Sequence, residues 1–302
     1  MNRLVEELLE ANVGKVWENE PLANHTTWKI GGPADVLVQP RGKAEIIACM
    51  EIIRKHQTPY HIIGRGSNLL VRDKGIRGIV VKIGDGLDHL TINDTQVVVG
   101  AGFSFIKLAT MMGKRGLAGL EFAGGIPGTI GGAVYMNAGA HGSDVARVLH
   151  SAEILFEDSK VETVSNEDLK FSYRTSLLQK ERKGICLEAT FQLEHGEREE
   201  ITKKLAEHKN YRRKTQPLKQ PCCGSVFRNP KPHSAGGLIE ESGLKGFQVG
   251  GAQVSLLHAN FIVNVGDASA NDVLTLIEHI RKTINEKFGV DMHPEVQVVG
   301  EE

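Results

Sequence analysis

Apolar positions along the chain change period repeatedly, and each change predicts a change of element. Ile185, Leu187, Ala189, Phe191 and Leu193 alternate with Cys186, Glu188, Thr190 and Gln192. A period of two puts the first set on one face of a strand, predicted buried, and the second set on the other. Val273, Ile277, Ile280, Ile284 and Phe288 instead share one face of a helix. Ser269 or Asn271 can cap its start, and Gly289 stands where a terminating glycine belongs. Ile46, Ile47, Met50 and Ile53 mark a helix over residues 44–56, residues 105–112 read as another, and residues 198–214 as a charged third. The N-terminal residues 1–16 read as a short amphipathic helix, since Glu6 and Glu7 stand where a secretory leader needs an apolar core. Strands are predicted over residues 34–39, 60–63, 69–71, 79–83, 96–99 and 295–299, with a turn at 64–68. Helices and strands mix in this way in an α+β fold.

One stretch fits neither period. Residues 119–142 read GLEFAGGIPGTIGGAVYMNAGAHG, and 8 of these 24 residues are glycine. Leu120, Phe122, Ile126, Ile130, Val134 and Met136 are threaded between them, so the segment is no flexible linker. Glycine lets backbone N–H groups approach a ligand with no Cβ in the way, and successive N–H groups form a concavity suited to a diphosphate. A tight structural corner is the other reading. A second, shorter run of this kind is Gly64-Arg65-Gly66-Ser67-Asn68, and two such loops meeting on one diphosphate would hold a dinucleotide.

Charge and cysteine content narrow the field. The net charge of −1, from 36 basic and 37 acidic residues, gives no sign of a nucleic-acid binder. No apolar run reaches the ~20 residues of a membrane span. Four cysteines (Cys49, Cys186, Cys222 and Cys223) and no leader point to reduced thiols in the cytoplasm, with Cys222 and Cys223 unbridged. No metal site is expected, because no H-x-x-x-H string and no cysteine pair has zinc-ligand spacing. Gly64-x-Gly66 follows a strand but position 69 is leucine and the next segment is strand-like, which excludes a Rossmann fingerprint. Neither a P-loop nor a G-x-S-x-G elbow is present.

Taken in order, NHTTWKIGGPA (24–34), GRGSNLLV (64–71), GLEFAGGIPGTIGGAVYMNAGA (119–140), FSYRTS (171–176), GSVFRNP (224–230) and HPEVQVVG (293–300) resemble the UDP-N-acetylenolpyruvoylglucosamine reductase (MurB) family of bacterial peptidoglycan synthesis. The resemblance implies an FAD-binding fold of the vanillyl-alcohol-oxidase (PCMH) type in two α+β subdomains, residues 1–85 and 86–195, with a C-terminal substrate domain at 196–302. It implies non-covalent FAD, NADPH as co-substrate, and a UDP-sugar whose enolpyruvyl group receives hydride at C3 and a proton at C2. The FAD diphosphate is expected against Gly64, Arg65, Gly66, Ser67, Asn68, Gly124, Gly125, Gly128 and Thr129, with Asn137 and Gly139 toward the flavin.

By the same resemblance Arg174 stabilises the charge that develops on the enolate, Ser225 supplies the proton, and Glu295 assists as a hydrogen-bond donor where burial raises its pKa. Tyr173, Arg213 and Asn229 are the expected substrate contacts. Residues 175–184 leave no room for the extra tyrosine loop of some members, so this is the shorter form. A monomer in the cytoplasm is expected, without nucleic-acid or membrane partners. Related oxidases attach flavin covalently through histidine or cysteine, which makes His141 the residue on which a different reaction would rest.

Overall fold

A computed structural model describes residues 1–302. The chain divides into two compact units. The first comprises Met1–Glu18, Val36–Arg65 and Gly78–Tyr211; the second comprises Asn19–Asp35, Gly66–Arg77 and Arg212–Glu302.

The first unit opens with the helix Asn2–Glu10, which buries Leu4, Val5 and Leu8. The helix ends earlier than the reading over residues 1–16, whose last three residues open the strand Gly14–Pro21. Gly14 sits at φ 148, and a Cβ there would lie 2.2 Å from the carbonyl of Gln39, so the backbones pack too closely for a helix to continue. Tyr60–Ile63 runs parallel to the strand Ile76–Lys82, and the helix Lys43–Lys55 buries Ile46, Cys49 and Ile53.

The centre of the first unit is a five-stranded antiparallel sheet, ordered Val161–Ser165, Leu149–Phe156, Gly184–Gln192, Gln96–Gly100, Leu90–Asn93. Ile185, Leu187, Ala189 and Phe191 are buried as the alternation predicts, but so is Cys186. The register explains the exception. Glu153 pairs with Glu188 and Ile154 with Cys186, so a bulge falls between them and turns Cys186 inward. Burial pushes its thiol up to about 12, as it does that of Cys49.

The second unit holds the three-stranded sheet Gln248–Val249, Ala252–Val254, Ile262–Asn264 and the parallel pair Leu69–Val71 with Gln297–Val299. Its core gathers Trp28, Phe227, Ile239, Val273, Ile277 and Ile280. The helix Ala270–Phe288 settles the capping alternative in favour of Ser269, which accepts from Asp272 N at 3.0 Å while Asp272 accepts from Ser269 N at 3.0 Å. Gly289 ends it at φ 67, as its position predicted. Ser269→Ala should lower unfolding stability by about 1 kcal/mol in a denaturant titration.

Candidate active site

Within the first unit Gly64 packs on the long glycine segment. A Cβ on Gly64 would lie 2.6 Å from Oγ1 of Thr129, so nothing larger than hydrogen fits without displacement. The segment 119–142 is not one loop. It forms a 3-10 turn at Glu121–Gly125, the short helix Ile130–Tyr135 and the strand Gly139–Ala140. Thr129 is fixed at the helix start: Phe105 N donates to Gly128 O (3.2 Å), Ile130 N to Phe103 O (3.0 Å) and Gly131 N to Ala101 O (2.8 Å). The glycines divide by task. Gly124 closes on Leu205 Cδ2 (2.6 Å from an added Cβ) and Gly139 on Ser143 O (2.6 Å), so protein packing explains their missing side chains. Gly128, at φ 128, shapes the backbone next to Thr129.

Arg174 stands on a tight turn. Ser172 N donates to Thr175 O at 3.1 Å and Thr175 N to Ser172 O at 3.0 Å, leaving Tyr173 and Arg174 at the tip. Arg174 adopts φ 55, a left-handed conformation that costs a residue with a Cβ about 1–2 kcal/mol. Its Nη2 donates to Gly139 O at 2.6 Å, and its guanidinium lies 5.0 Å from the Tyr173 ring centre. Asn137 is 2% exposed and its amide is committed inside the protein: Nδ2 donates to Ser172 O (3.0 Å) and Oδ1 accepts from Ala146 N (2.9 Å). The side chain holds the arginine turn against the glycine segment.

His141 lies on the next turn. Its ring stacks on His208 at 3.9 Å with 2° between planes, and Nδ1 of His208 donates to Glu121 O at 3.1 Å.

The second unit holds Gly66, Ser67, Asn68, Arg213, Ser225, Asn229 and Glu295. Gly66 is required by conformation (φ 65) and by space, since a Cβ would lie 2.3 Å from His25 O. Thr27 N donates to Gly66 O at 3.2 Å, and Thr27 Oγ1 donates to Cys222 O at 2.7 Å. The segment around residues 24–34 thus ties the glycine turn to the loop that carries Ser225. Asn68 Nδ2 donates to Glu295 O at 3.2 Å, and Gln297 N donates to Asn68 O at 3.0 Å.

The segments that carry Ser225 and Glu295 meet through the backbone of the residues after Ser225. Glu295 N donates to Val226 O at 2.7 Å, Arg228 N donates to His293 O at 3.0 Å, and Phe227 pairs with Pro294. Glu295 therefore lies just before the final strand, which starts at Gln297 rather than at 295, because the N–H groups of both Glu295 and Val296 turn to Val226 O. Both predicted residues are half-buried. The buried Asn260 clamps the same run: Oδ1 accepts from Phe227 N (2.9 Å) and Nδ2 donates to Phe227 O (2.8 Å).

Cys222 and Cys223 are free thiols, as expected. Burial pushes both up, and for Cys223 the charges of Cys222 and Glu295 add to it. Cys223 thus sits beside Glu295 as a protonated, buried group.

Of the adjacent arginines, Arg213 is exposed and Arg212 is 9% exposed. Arg212 Nε donates to Gln216 Oε1 at 2.8 Å, no carboxylate pairs with it, and burial draws its pKa down to about 10. Asn229 is exposed, and its Oδ1 accepts from Ala235 N at 3.0 Å. The sequence offers the basic run Tyr211-Arg212-Arg213-Lys214 as a place for a small anion, whereas Thr27 and Asn260 were missed. Asn260 left a signal, as the lone amide in the apolar run ANFIV of residues 259–263.

A dinucleotide cofactor fits these residues by their chemistry: the close packing of Gly64 on Thr129 holds their backbone N–H groups near one another, and Arg65 supplies a cation beside Gly64. Residues 34–165 match the FAD binding domain model, and residues 216–299 match the model described as UDP-N-acetylenolpyruvoylglucosamine reductase, C-terminal domain. The chain is 60% identical over its full length to the whole UDP-N-acetylenolpyruvoylglucosamine reductase of Bacillus pumilus. It is 58% identical to that of Bacillus subtilis, with 99% of each chain covered. Among solved structures, UDP-N-acetylenolpyruvylglucosamine reductase (MurB) from Thermus caldophilus superposes with a TM-score of 0.80 at 36% identity, covering 94% of this chain and 98% of that one. With the glycine cradle, the arginine turn and the serine–glutamate pair all present at the matching motifs, the chain belongs to the UDP-N-acetylenolpyruvoylglucosamine reductase family.

Proposed function

We propose that the chain reduces UDP-N-acetylglucosamine enolpyruvate to UDP-N-acetylmuramate with NADPH, through non-covalently bound FAD. The observation that carries this reading is the bond from Arg174 Nη2 to Gly139 O. It fastens a cation to the tail of the segment that would cradle the cofactor. When bound, FAD supplies the redox chemistry, drawing hydride from NADPH and delivering it to C3 of the enolpyruvyl group.

The chain's own residues do the rest. Gly64, Arg65, Gly66, Ser67, Asn68, Gly124, Gly125, Gly128 and Thr129 hold the diphosphate, and Asn137 and Gly139 set the backbone on the flavin side. Arg174 neutralises negative charge as it builds on C2 and the adjoining carboxylate, which lowers the barrier because the interaction is strongest in the transition state. Ser225 gives C2 its proton, and Glu295 completes the polar set beside it. Tyr173, Arg213 and Asn229 contact the substrate. Arg212 adds a second site for one of its anionic groups, since a buried guanidinium without a carboxylate is unbalanced until an anion arrives. In this reading residues 1–85 and 86–195 carry the flavin, residues 196–302 cover the substrate, and the protein works as a cytoplasmic monomer. No helix is long and apolar enough to cross a membrane.

The test is anaerobic. Enzyme reduced by NADPH is mixed with UDP-N-acetylglucosamine enolpyruvate, and flavin reoxidation is followed by absorbance. Absence of reoxidation would end this reading. In the same experiment Ser225→Ala should slow the second half-reaction by about 100-fold or more while leaving the first unchanged. Equal slowing of both halves would remove the serine as proton source.

A further inference from the structure

The turn that carries Arg174 is held in part by Gln179, which lies outside every motif quoted above. The helix Ile130–Tyr135 starts at Thr129, beside Gly64, and ends at Tyr135. The last carbonyls of a helix have no partner within it. Here the Tyr135 carbonyl accepts two side-chain donors from the far side of the arginine turn, Ser176 Oγ at 2.7 Å and Gln179 Nε2 at 2.6 Å. Gln179 Nε2 also donates to the carbonyl of Arg174 itself, at 3.3 Å. Ser176 is the N-cap of the short helix Leu177–Lys180, yet its hydroxyl makes no cap bond and turns to Tyr135 instead. Asn137 closes the arrangement from the other side, through Ser172 O.

We infer that Gln179 is a positioning residue for Arg174. One amide grips both the end of the glycine-segment helix and the carbonyl of a residue in the left-handed region. A turn with φ 55 at an arginine persists only where its surroundings over-determine it. Gln179 supplies part of that constraint, with Ser176 as its partner on the Tyr135 carbonyl. Loss of the grip lets the turn relax toward an ordinary backbone conformation and moves the guanidinium off its working position. The effect falls on the step that needs Arg174 and spares the step that does not. This inference rests on the proposed role of Arg174.

The experiment compares Gln179→Met, which keeps the length of the side chain but cannot donate, with Gln179→Lys, which keeps a donor on a flexible stem. Each holoenzyme is taken through both half-reactions, with thermal melting and FAD content measured alongside. Gln179→Met should retain FAD, melt close to the parent and be reduced by NADPH at the parent rate. Its reoxidation by the enolpyruvyl substrate should fall about 10- to 100-fold, in kcat rather than KM, as expected when a reacting group is misplaced. Gln179→Lys should restore most of that loss.

Parent-like reoxidation in Gln179→Met, equal slowing of both half-reactions, or a loss that Lys does not restore would each overturn the inference. Arg174→Ala separates the two failures. If it is inactive while Gln179→Met is normal, the positioning role alone falls. If Arg174→Ala is itself active, the role of the arginine falls with it.

Discussion

Arg174→Ala should purify with FAD bound, accept hydride from NADPH at nearly the parent rate, and fail to pass it on. Reoxidation by the enolpyruvyl substrate should drop by about 10²–10³-fold, or about 2.7–4 kcal/mol of transition-state stabilisation, the range for losing one fixed group at a developing anion. The selectivity follows from placement. Arg174 sits at the tip of a two-residue turn, its guanidinium anchored to Gly139 O, and it contributes nothing to the contact of Gly64 with Thr129. Backbone strain is unchanged in this variant, because alanine at φ 55 is as strained as arginine. Arg174→Gly removes that strain and should be equally inactive in the second half-reaction. Arg174→Lys should recover little, because a point charge on a flexible stem does not reproduce a planar fork. Stopped-flow absorbance of the flavin gives both rates in one experiment. A glycine variant with parent-like reoxidation would show that the turn's shape, and not its cation, matters.

The second large effect lies at the cofactor. Gly64→Ala places a methyl 2.6 Å from Thr129 Oγ1, closer than such atoms approach, so one of the two loops must move. Thr129 has little freedom to do so, because Phe105, Ile130 and Gly131 hold the backbone on either side of it through Gly128 O, Phe103 O and Ala101 O. FAD affinity should weaken by about 10- to 100-fold, equivalent to about 1.4–2.8 kcal/mol. Fluorescence of flavin released on dilution, or titration of apoprotein, would measure it. Thr129→Ala removes the obstructing oxygen, so the double variant should bind FAD better than Gly64→Ala alone. The non-additivity in that cycle would show that the two glycine loops act on one ligand. Independent, additive losses would separate them.

Most regular elements were legible because their period is local. The strand 60–63, the strand 69–71 and the helices starting near residues 44, 105, 198 and 270 all lie within a residue or two of expectation. The failures have local physical causes. Residues 14–21 are themselves mostly polar and show no clear period, and their strand is imposed by close approach to Gln39. Cys186 was assigned to the open face by strict alternation, and a bulge at Leu187 beside it reversed that. The segment 130–135 was hidden as a helix because Gly131 and Gly132 are poor helix formers; the Thr129 cap and the bonds from Ile130 and Gly131 to Phe103 and Ala101 override that preference.

Sequence by itself determined the family and the α+β class, and it nominated the residues proposed to react, because ordered motifs carry that information whether or not the chain is folded. Only the tertiary structure decided how those residues are held. It set Arg174 in a left-handed turn between Asn137 and Gln179, bonded Glu295 to Val226 in the run that carries Ser225, and buried Arg212 while exposing Arg213. Each of these depends on hydrogen bonds or burial between residues far apart in the chain, and such contacts leave no period and no spacing for a sequence to display.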